Sequence, residues 1–385
     1  MKQIPMLDLQ AEYAYMKKEI DAALQRCLGH QKWIFGPEVA EFEGAVKTYL
    51  DAKHCIGVSS GTEALVISLR ALAIKLKGKE YFDREDEIIT TPFTFTATGD
   101  AIPRAGATPV FVDIDPRDYN IDVKKVREYL ASASGRSTGK VVGIIPVHLY
   151  GQSCDLDEIM EIARENSLFV VEDVAQAFGA TWKGRKLGSI GECGAFSFFP
   201  SKNLGGFGDA GMVATGDDEI AGLARMLLKH GGKDKYNVDH IGYNGRLDTL
   251  QAAILGAKLK YIDEFNENRL AVAKRYTKEL SGVGDLVLPS YDRKNGSRHV
   301  YHQYTVRTSR RDELQAYLNE KGVSTMVYYP FPLHKMRVFD GRIKVSGNLS
   351  NAEQAVNEVL SLPIEPLQRN DDTAYIADCI RQFYR

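Results

Sequence analysis

One lysine, Lys202, lies between an apolar run, Gly194–Phe199, and a loop in which Gly205, Gly206, Gly208 and Gly211 crowd together. Glycines let a backbone approach a ligand closely, and a lysine held beside an apolar strand can shed its proton and attack an aldehyde. Upstream, Val170–Ala180 ends a β-branched run with two acids, Glu172 and Asp173, followed by Gln176. A carboxylate at the carboxyl end of a parallel strand lies where ligands bind in open α/β sheets, although such an aspartate also serves as a helix N-cap. Ser59-Ser-Gly-Thr-Glu-Ala-Leu65 places Ser60 and Glu63 at capping-box spacing. A helix should therefore open there with free backbone N–H groups aimed outward, which is a ready anion site. A lone histidine such as His148, in His148-Leu-Tyr-Gly151, is more often structural than catalytic and is given no catalytic role.

These segments resemble the PLP (pyridoxal phosphate)-dependent sugar aminotransferases of the DegT/DnrJ/EryC1/StrS family, which have the aspartate-aminotransferase type of fold. Ser197–Gly211 is similar to the family's S-F-x-x-x-K-x-x-x-x-x-G-[DE]-x-G. The resemblance implies that Lys202 carries PLP covalently and that Ser197 donates its hydroxyl to the cofactor phosphate. By the family's E-D-x-A-Q-x-x-G-A segment, Asp173 would pair with the pyridine nitrogen and Gln176 would contact the phenolic oxygen. The S-G-T-[DE]-A-L match assigns Gly61 and Thr62 to the phosphate, and Thr91–Thr98 supplies an aromatic to stack on the ring, Phe95 by preference and Phe93 as the alternative. Gly242–Leu255 matches G-x-N-x-R-L-D-x-L-Q-A-A-x-L, in which the asparagine, here Asn244, reaches the phosphate of a partner subunit's PLP, so a homodimer is implied. There are two departures: Lys75–Glu85 is longer than the usual link, which bears on the surface near the cofactor mouth, and Ala210 stands where many relatives have glycine.

What must position these residues is an α/β scaffold. Short β-branched runs, His54–Val58, Glu87–Thr90, Pro109–Asp113, Val141–Leu149, Phe169–Asp173, Cys193–Phe199 and Gly211–Thr215, alternate with helical stretches at Thr62–Leu76, Val123–Leu130 and Leu156–Glu165. That alternation predicts a mostly parallel sheet covered on both faces. A proline-free helical pattern from Leu247 to Leu280 predicts one helix of roughly 50 Å, long enough to bridge two domains. Beyond Gly282 the pattern is that of a smaller α+β unit, with strands near Gln303–Arg307 and Ser324–Tyr329, a helix near Asp312–Glu320 and two final helices. The expected division is a large PLP-binding domain over residues 1–255, with 1–20 packing on the small domain, and the interdomain helix and small domain over 256–385.

The 49 basic residues nearly balance the 51 acidic ones, so nothing points to a nucleic-acid surface. Five widely spaced cysteines without a C-x-x-C pair fit buried small hydrophobes in a reducing compartment rather than a metal site. Asp8, Glu12 and Glu19 interrupt any signal-like stretch, no segment approaches ~20 apolar residues, and a cytoplasmic protein without membrane contact is expected. The resemblance implies transfer of an amino group from L-glutamate to a nucleotide-linked keto sugar. The wording F-F-P-S-K-N-L-G-x-x-G-D favours C3, with C4 and cyclitol acceptors as alternatives and a non-catalytic PLP-fold binding protein as a distant one. Arg246, Lys229, His230 and His334 are candidates to meet the acceptor's phosphates.

Overall fold

The computed structural model describes residues 2–133, 139–234, 236–290 and 296–385. Its frame is an eight-stranded sheet in the order β1-β9-β8-β5-β4-β2-β3-β11. The strands are β1 (His54–Val58), β2 (Asp86–Thr90), β3 (Thr108–Phe111), β4 (Lys140–Ile144), β5 (Phe169–Asp173), β8 (Cys193–Ser197), β9 (Gly211–Thr215) and β11 (Lys344–Val345). All pairs are parallel except those of β9, which runs antiparallel to both neighbours. The carboxyl ends of β1, β2, β5 and β8 therefore share one edge with the start of β9. A small hairpin, β6 (Thr181–Trp182) with β7 (Arg185–Lys186), lies outside the sheet, and β10 (Tyr304–Arg307) pairs antiparallel with β12 (Val359–Leu362).

Helices α1 (Leu9–His30) and α2 (Pro37–Leu50) precede the sheet, and α3 (Gly61–Lys77), α4 (Thr96–Arg104), α5 (Val123–Ala133), α6 (Leu156–Asn166) and α7 (Asp218–Leu227) are interleaved with its strands. The later part holds α8 (Thr249–Leu259), α9 (Ile262–Leu280), α10 (Arg311–Glu320), α11 (Ser350–Glu358) and α12 (Asn370–Phe383). Helix α3 is buried on every side from Ala64 to Ala73, in a core shared with β1, β8, β9 and α7. It begins where Ser60 accepts a hydrogen bond from the Glu63 N–H and ends where Gly78 adopts a left-handed conformation. A separate core joins α9, α10 and α12 to β10 and β12 and includes Ile4. Met16 and Ile20 of α1 pack instead on Ala253, Ile254 and Ala257 of α8.

Three sequence expectations are corrected. The single helix over Leu247–Leu280 is two helices, broken at Lys260–Tyr261, where Tyr261 takes φ −102°, ψ −3°. Its ring packs against Tyr15 and Phe265, so an aromatic contact with α1 outweighs helical continuity at a site with no local breaker. Ser324–Tyr329 is not a strand: this stretch meets neighbours through isolated bridges, Met326 with Ser361 and, just before it, Val323 with Ile4. Pro330 and Pro332 follow it, and the partner position beside β10 is taken by Val359–Leu362. The strand expected to reach Leu149 stops at Ile144, because Pro146 offers no N–H and the chain continues only through a bridge from Val147 to Asp173.

Candidate active site

Lys202 sits in the turn after β8, its N–H donating to the Phe199 carbonyl at 2.8 Å. The next residue anchors the turn: buried Asn203 donates from Nδ2 to Asn266 Oδ1 at 2.7 Å and to the Val300 carbonyl at 3.0 Å. Asp173, at the end of β5, is 4% exposed. One of its carboxylate oxygens accepts from Thr98 Oγ1 at 2.8 Å and the other from the Ala175 N–H at 3.1 Å. Behind it, the fully buried Glu172 accepts from the N–H groups of Gly188, Ile190 and Gly191 and pairs with His148 Nε2 at 3.1 Å. His148 Nδ1 in turn accepts from the Cys154 N–H, so both ring nitrogens are engaged in fixing the strand end.

Lys202 and Asp173 oppose each other electrostatically. Burial pushes the Lys202 amine down to about 8, while the Asp173 charge partly restores it. Burial likewise raises Asp173 above the usual carboxylate range, against the Thr98 hydroxyl, the Ala175 N–H, Lys202 and His148. An amine whose proton burial has loosened, facing a buried acid, is the pairing that a carbonyl-bearing, cationic aromatic ligand needs: one group to attack it and one to hold a proton on its ring.

The phosphate end is built from backbone. A Cβ added to Gly61 would come within 2.6 Å of the Ser197 Cβ, so the opening of α3 lies directly against Ser197, and Thr62 follows in the first turn. A Cβ on Gly211 would meet the Ser60 carbonyl group at 2.3 Å. A cradle that closes only around glycine, set at a helix start beside a serine hydroxyl, fits a phosphate monoester. PLP thus fits the residues present at both ends.

The structure brings Gly61, Ser197, Asp173 and Lys202 to the shared edge. Gln176 joins them, accepting on Oε1 from the Tyr150 N–H and donating from Nε2 to Tyr329 Oη, each at 2.8 Å. Phe95 is 57% exposed with its ring 6.3 Å from that of Tyr329, whereas Phe93 is buried in a core with Ile114, Tyr119 and Val147. Of the two candidate aromatics, only Phe95 is open to a ligand. Asn244 is exposed and lines a concavity of about 500 Å³ with Ile34, Ser59, Asp209, Arg246 and Gln251. Arg246 Nε there is buried without a hydrogen-bond partner, while His334 is engaged by Glu353 at 2.9 Å and Lys229 by the Lys233 carbonyl at 2.8 Å. Sequence reasoning missed Thr98 and Tyr329. Thr98 stands three residues after Phe95, one helical turn on, a spacing that could have flagged it; Tyr329 arrives from a distant segment, Tyr329-Pro-Phe-Pro-Leu-His334, whose looser resemblance to the family assigned it no role.

Among the described residues one Cys/His/Glu group, Cys27, His30 and Glu38, brings three ligand-type atoms within 4.8 Å of one another. Its hydrogen bonds are already closed, since the Lys32 N–H donates to His30 Nδ1 and His30 Nε2 faces Glu38 at 3.1 Å. All five cysteines are free and buried. Among the described residues no helix is long and apolar enough to cross a membrane.

The model of the DegT/DnrJ/EryC1/StrS aminotransferase family matches residues 14–381. A pleiotropic regulatory protein of Geobacillus stearothermophilus is 44% identical over 99% of both chains. The dTDP-3-amino-3,4,6-trideoxy-alpha-D-glucose transaminase of Streptomyces venezuelae is 38% identical over 99% of this chain and 96% of its own. The UDP-2-acetamido-2-deoxy-3-oxo-D-glucuronate aminotransferase of Pseudomonas aeruginosa is 41% identical over 94% and 95%. Among solved structures, a DegT DnrJ EryC1 StrS aminotransferase from Brucella abortus superposes with a TM-score of 0.93 at 34% identity, covering 99% of this chain and 100% of that one. DesV from S. venezuelae, solved with a ketimine intermediate, gives 0.91 at 37% identity over 100% and 99%. With a family model matched over nearly its whole length and a fold superposing on a solved member, the chain belongs to the PLP-dependent DegT/DnrJ/EryC1/StrS aminotransferase family.

Proposed function

We propose that this aminotransferase moves an amino group from L-glutamate to C3 of a nucleotide-linked keto hexose, as a homodimer, to supply a surface polysaccharide or a glycosylated metabolite. The observation that carries the chemistry is Lys202, an amine held near neutrality opposite the buried Asp173. The regiochemistry is supported by the 3-amino and 3-oxo sugars in the names of two relatives.

Bound PLP supplies an electron sink that stabilises charge at the carbon losing its proton. The chain does the rest. Asp173 would keep a proton on the ring nitrogen, Gln176 would contact the phenolic oxygen, Phe95 would stack on the ring, and Ser197 with the Gly61–Thr62 helix start would hold the phosphate. Lys202 Nζ would hold the cofactor covalently and would serve as the base and acid that moves the proton of the donor's carbon. Arg246, with its unpartnered Nε, is the first choice for the acceptor's phosphates. Support for the homodimer comes from the apolar side chains exposed on the Asn244 segment and on the loops before α2 and after Lys202, among them Ile34, Phe35, Phe207, Ile241 and Leu250.

The test is to run the reaction backwards. The PLP form is mixed separately with nucleotide-linked 3-amino and 4-amino sugars and with L-glutamate, and loss of the absorbance of the lysine-bound cofactor is followed. Bleaching by glutamate and by 3-amino sugars alone supports the proposal; bleaching by 4-amino sugars alone moves the reaction to C4. The 44%-identical relative, named as a pleiotropic regulatory protein, favours one second reading, a regulatory role independent of chemistry. A Lys202→Ala protein that kept its biological role would establish that reading instead.

A further inference from the structure

Glu80, in the stretch Lys75–Glu85, meets His240 Nδ1 and accepts from the Ile241 N–H. The stretch lies behind the segment that carries Asn244. Arg70 of α3, whose side chain is fully buried, reaches into it: Nη2 donates to Glu80 Oε2 at 2.7 Å, Nε donates to the Glu80 carbonyl, and the guanidinium stacks 3.8 Å from the Tyr81 ring centre. The same guanidinium grips the other side. Nη1 donates to Tyr243 Oη at 2.7 Å and Nη2 to the Ile241 carbonyl at 2.9 Å, while Glu80 Oε1 pairs with His240 Nδ1 at 2.7 Å.

What Arg70 and Glu80 grip is a loop with a narrow neck. Gly231 and Gly242 pack backbone on backbone, so that a Cβ on Gly242 would lie 2.1 Å from the Gly231 nitrogen. The neck continues through the His230 N–H to the Tyr243 carbonyl at 2.9 Å and a bridge between Lys229 and Asn244. Beyond it the tip is exposed at Tyr236 and Val238. Asn244 itself is therefore placed from one side by backbone and from the other by a buried cation whose counter-ion, Glu80, comes from the extended stretch. A buried guanidinium with four directed hydrogen bonds is a rigid spacer.

We propose that Arg70 and Glu80 are positioning residues for the partner subunit's cofactor site: they hold Tyr243 so that Asn244 meets the PLP phosphate bound by the other chain. This rests on the reading of Asn244 given above, and the experiment separates the two. Mixed dimers are purified in which one chain carries Lys202→Ala, leaving one cofactor-capturing lysine per dimer, and the PLP dissociation constant at that lysine is measured. Glu80→Ala, or Tyr243→Phe as the milder change should loss of Glu80 unfold the chain, is placed either on the Lys202→Ala chain or on the chain that keeps Lys202.

The expected result is a weakening of about tenfold when the change sits on the Lys202→Ala chain and less than about twofold when it sits on the other. A local structural role gives the opposite pattern, and either that pattern or no change in both dimers overturns the proposal. Asn244→Ala in the same two arrangements reports on the underlying reading. If it acts across the dimer while both clasp variants do nothing, the clasp alone is wrong; if it acts only within its own chain, the Asn244 assignment falls and the clasp proposal with it.

Discussion

At the scale of single residues, the site depends on an amine whose protonation is set by two opposing influences. Because burial lowers Lys202 to about 8 and Asp173 acts in the other direction, the apoprotein should capture PLP faster as pH rises from 7, levelling above about 8. Asp173→Asn should move that midpoint to lower pH, since the carboxylate favours the cation; stopped-flow absorbance across the pH range reads both, and an unmoved midpoint would show that the two groups do not interact. Gly61→Ala should weaken PLP binding by at least about tenfold with little change in lysine chemistry, because the added methyl occupies the space against Ser197 where the phosphate cradle closes. Equilibrium titration of the apoprotein checks this.

At the scale of elements, the segment leading into β10 carries two buried histidines. His299 stacks on Tyr301 at 3.8 Å and accepts the Tyr301 N–H on Nδ1 at 2.9 Å, so a proton added there would face another donor. Burial holds His299 down to about 3 and His302 well below its ordinary value, the latter also repelled by Lys202 and Arg269. The unfolded chain therefore binds more protons below about 6.5, and stability should fall as pH drops from there, by about 1.4 kcal/mol per pH unit for each histidine. Urea melts at pH 7 and pH 5 should show this loss, and His299→Asn should reduce its slope; equal slopes would assign the loss to carboxylates elsewhere.

The sequence disclosed elements in proportion to how local their causes are. The runs that became β1, β5 and β9 were legible residue for residue, because strands buried on both faces read as unbroken apolar stretches. Ser60 and Glu63 announced the start of α3. The break at Tyr261 and the pairing of Val359–Leu362 with β10 were not legible, since one is caused by an aromatic ring on α1 and the other by a strand far away in the chain. The site divides in the same way: Lys202, Asp173 and Gly61 stand in dense motifs, whereas Tyr329 reaches Gln176 only through tertiary packing.

At the scale of the whole molecule, the proposed homodimer predicts that light scattering will return twice the chain mass. Ile34→Asp should shift that mass toward the monomer and weaken PLP binding together, because Ile34 shares a concavity with Asn244 and Arg246. A monomer that kept full PLP affinity would separate the cofactor site from assembly.

The last strand of the sheet has a consequence for how the molecule is made. β11 lies parallel to β3, with Lys344 opposite Val110 and Val345 opposite Phe111, and Lys344 also meets Glu87 of β2. Around it Leu333, Phe339 and Leu349 close over Phe111. During synthesis, every other strand of this sheet leaves the ribosome long before β11 does, so the nascent chain carries an open β3 border and a bare Phe111 until its last stretch emerges. Ribosome-bound chains halted before residue 330 should consequently be held by chaperones or self-associate, and release past residue 350 should end that association.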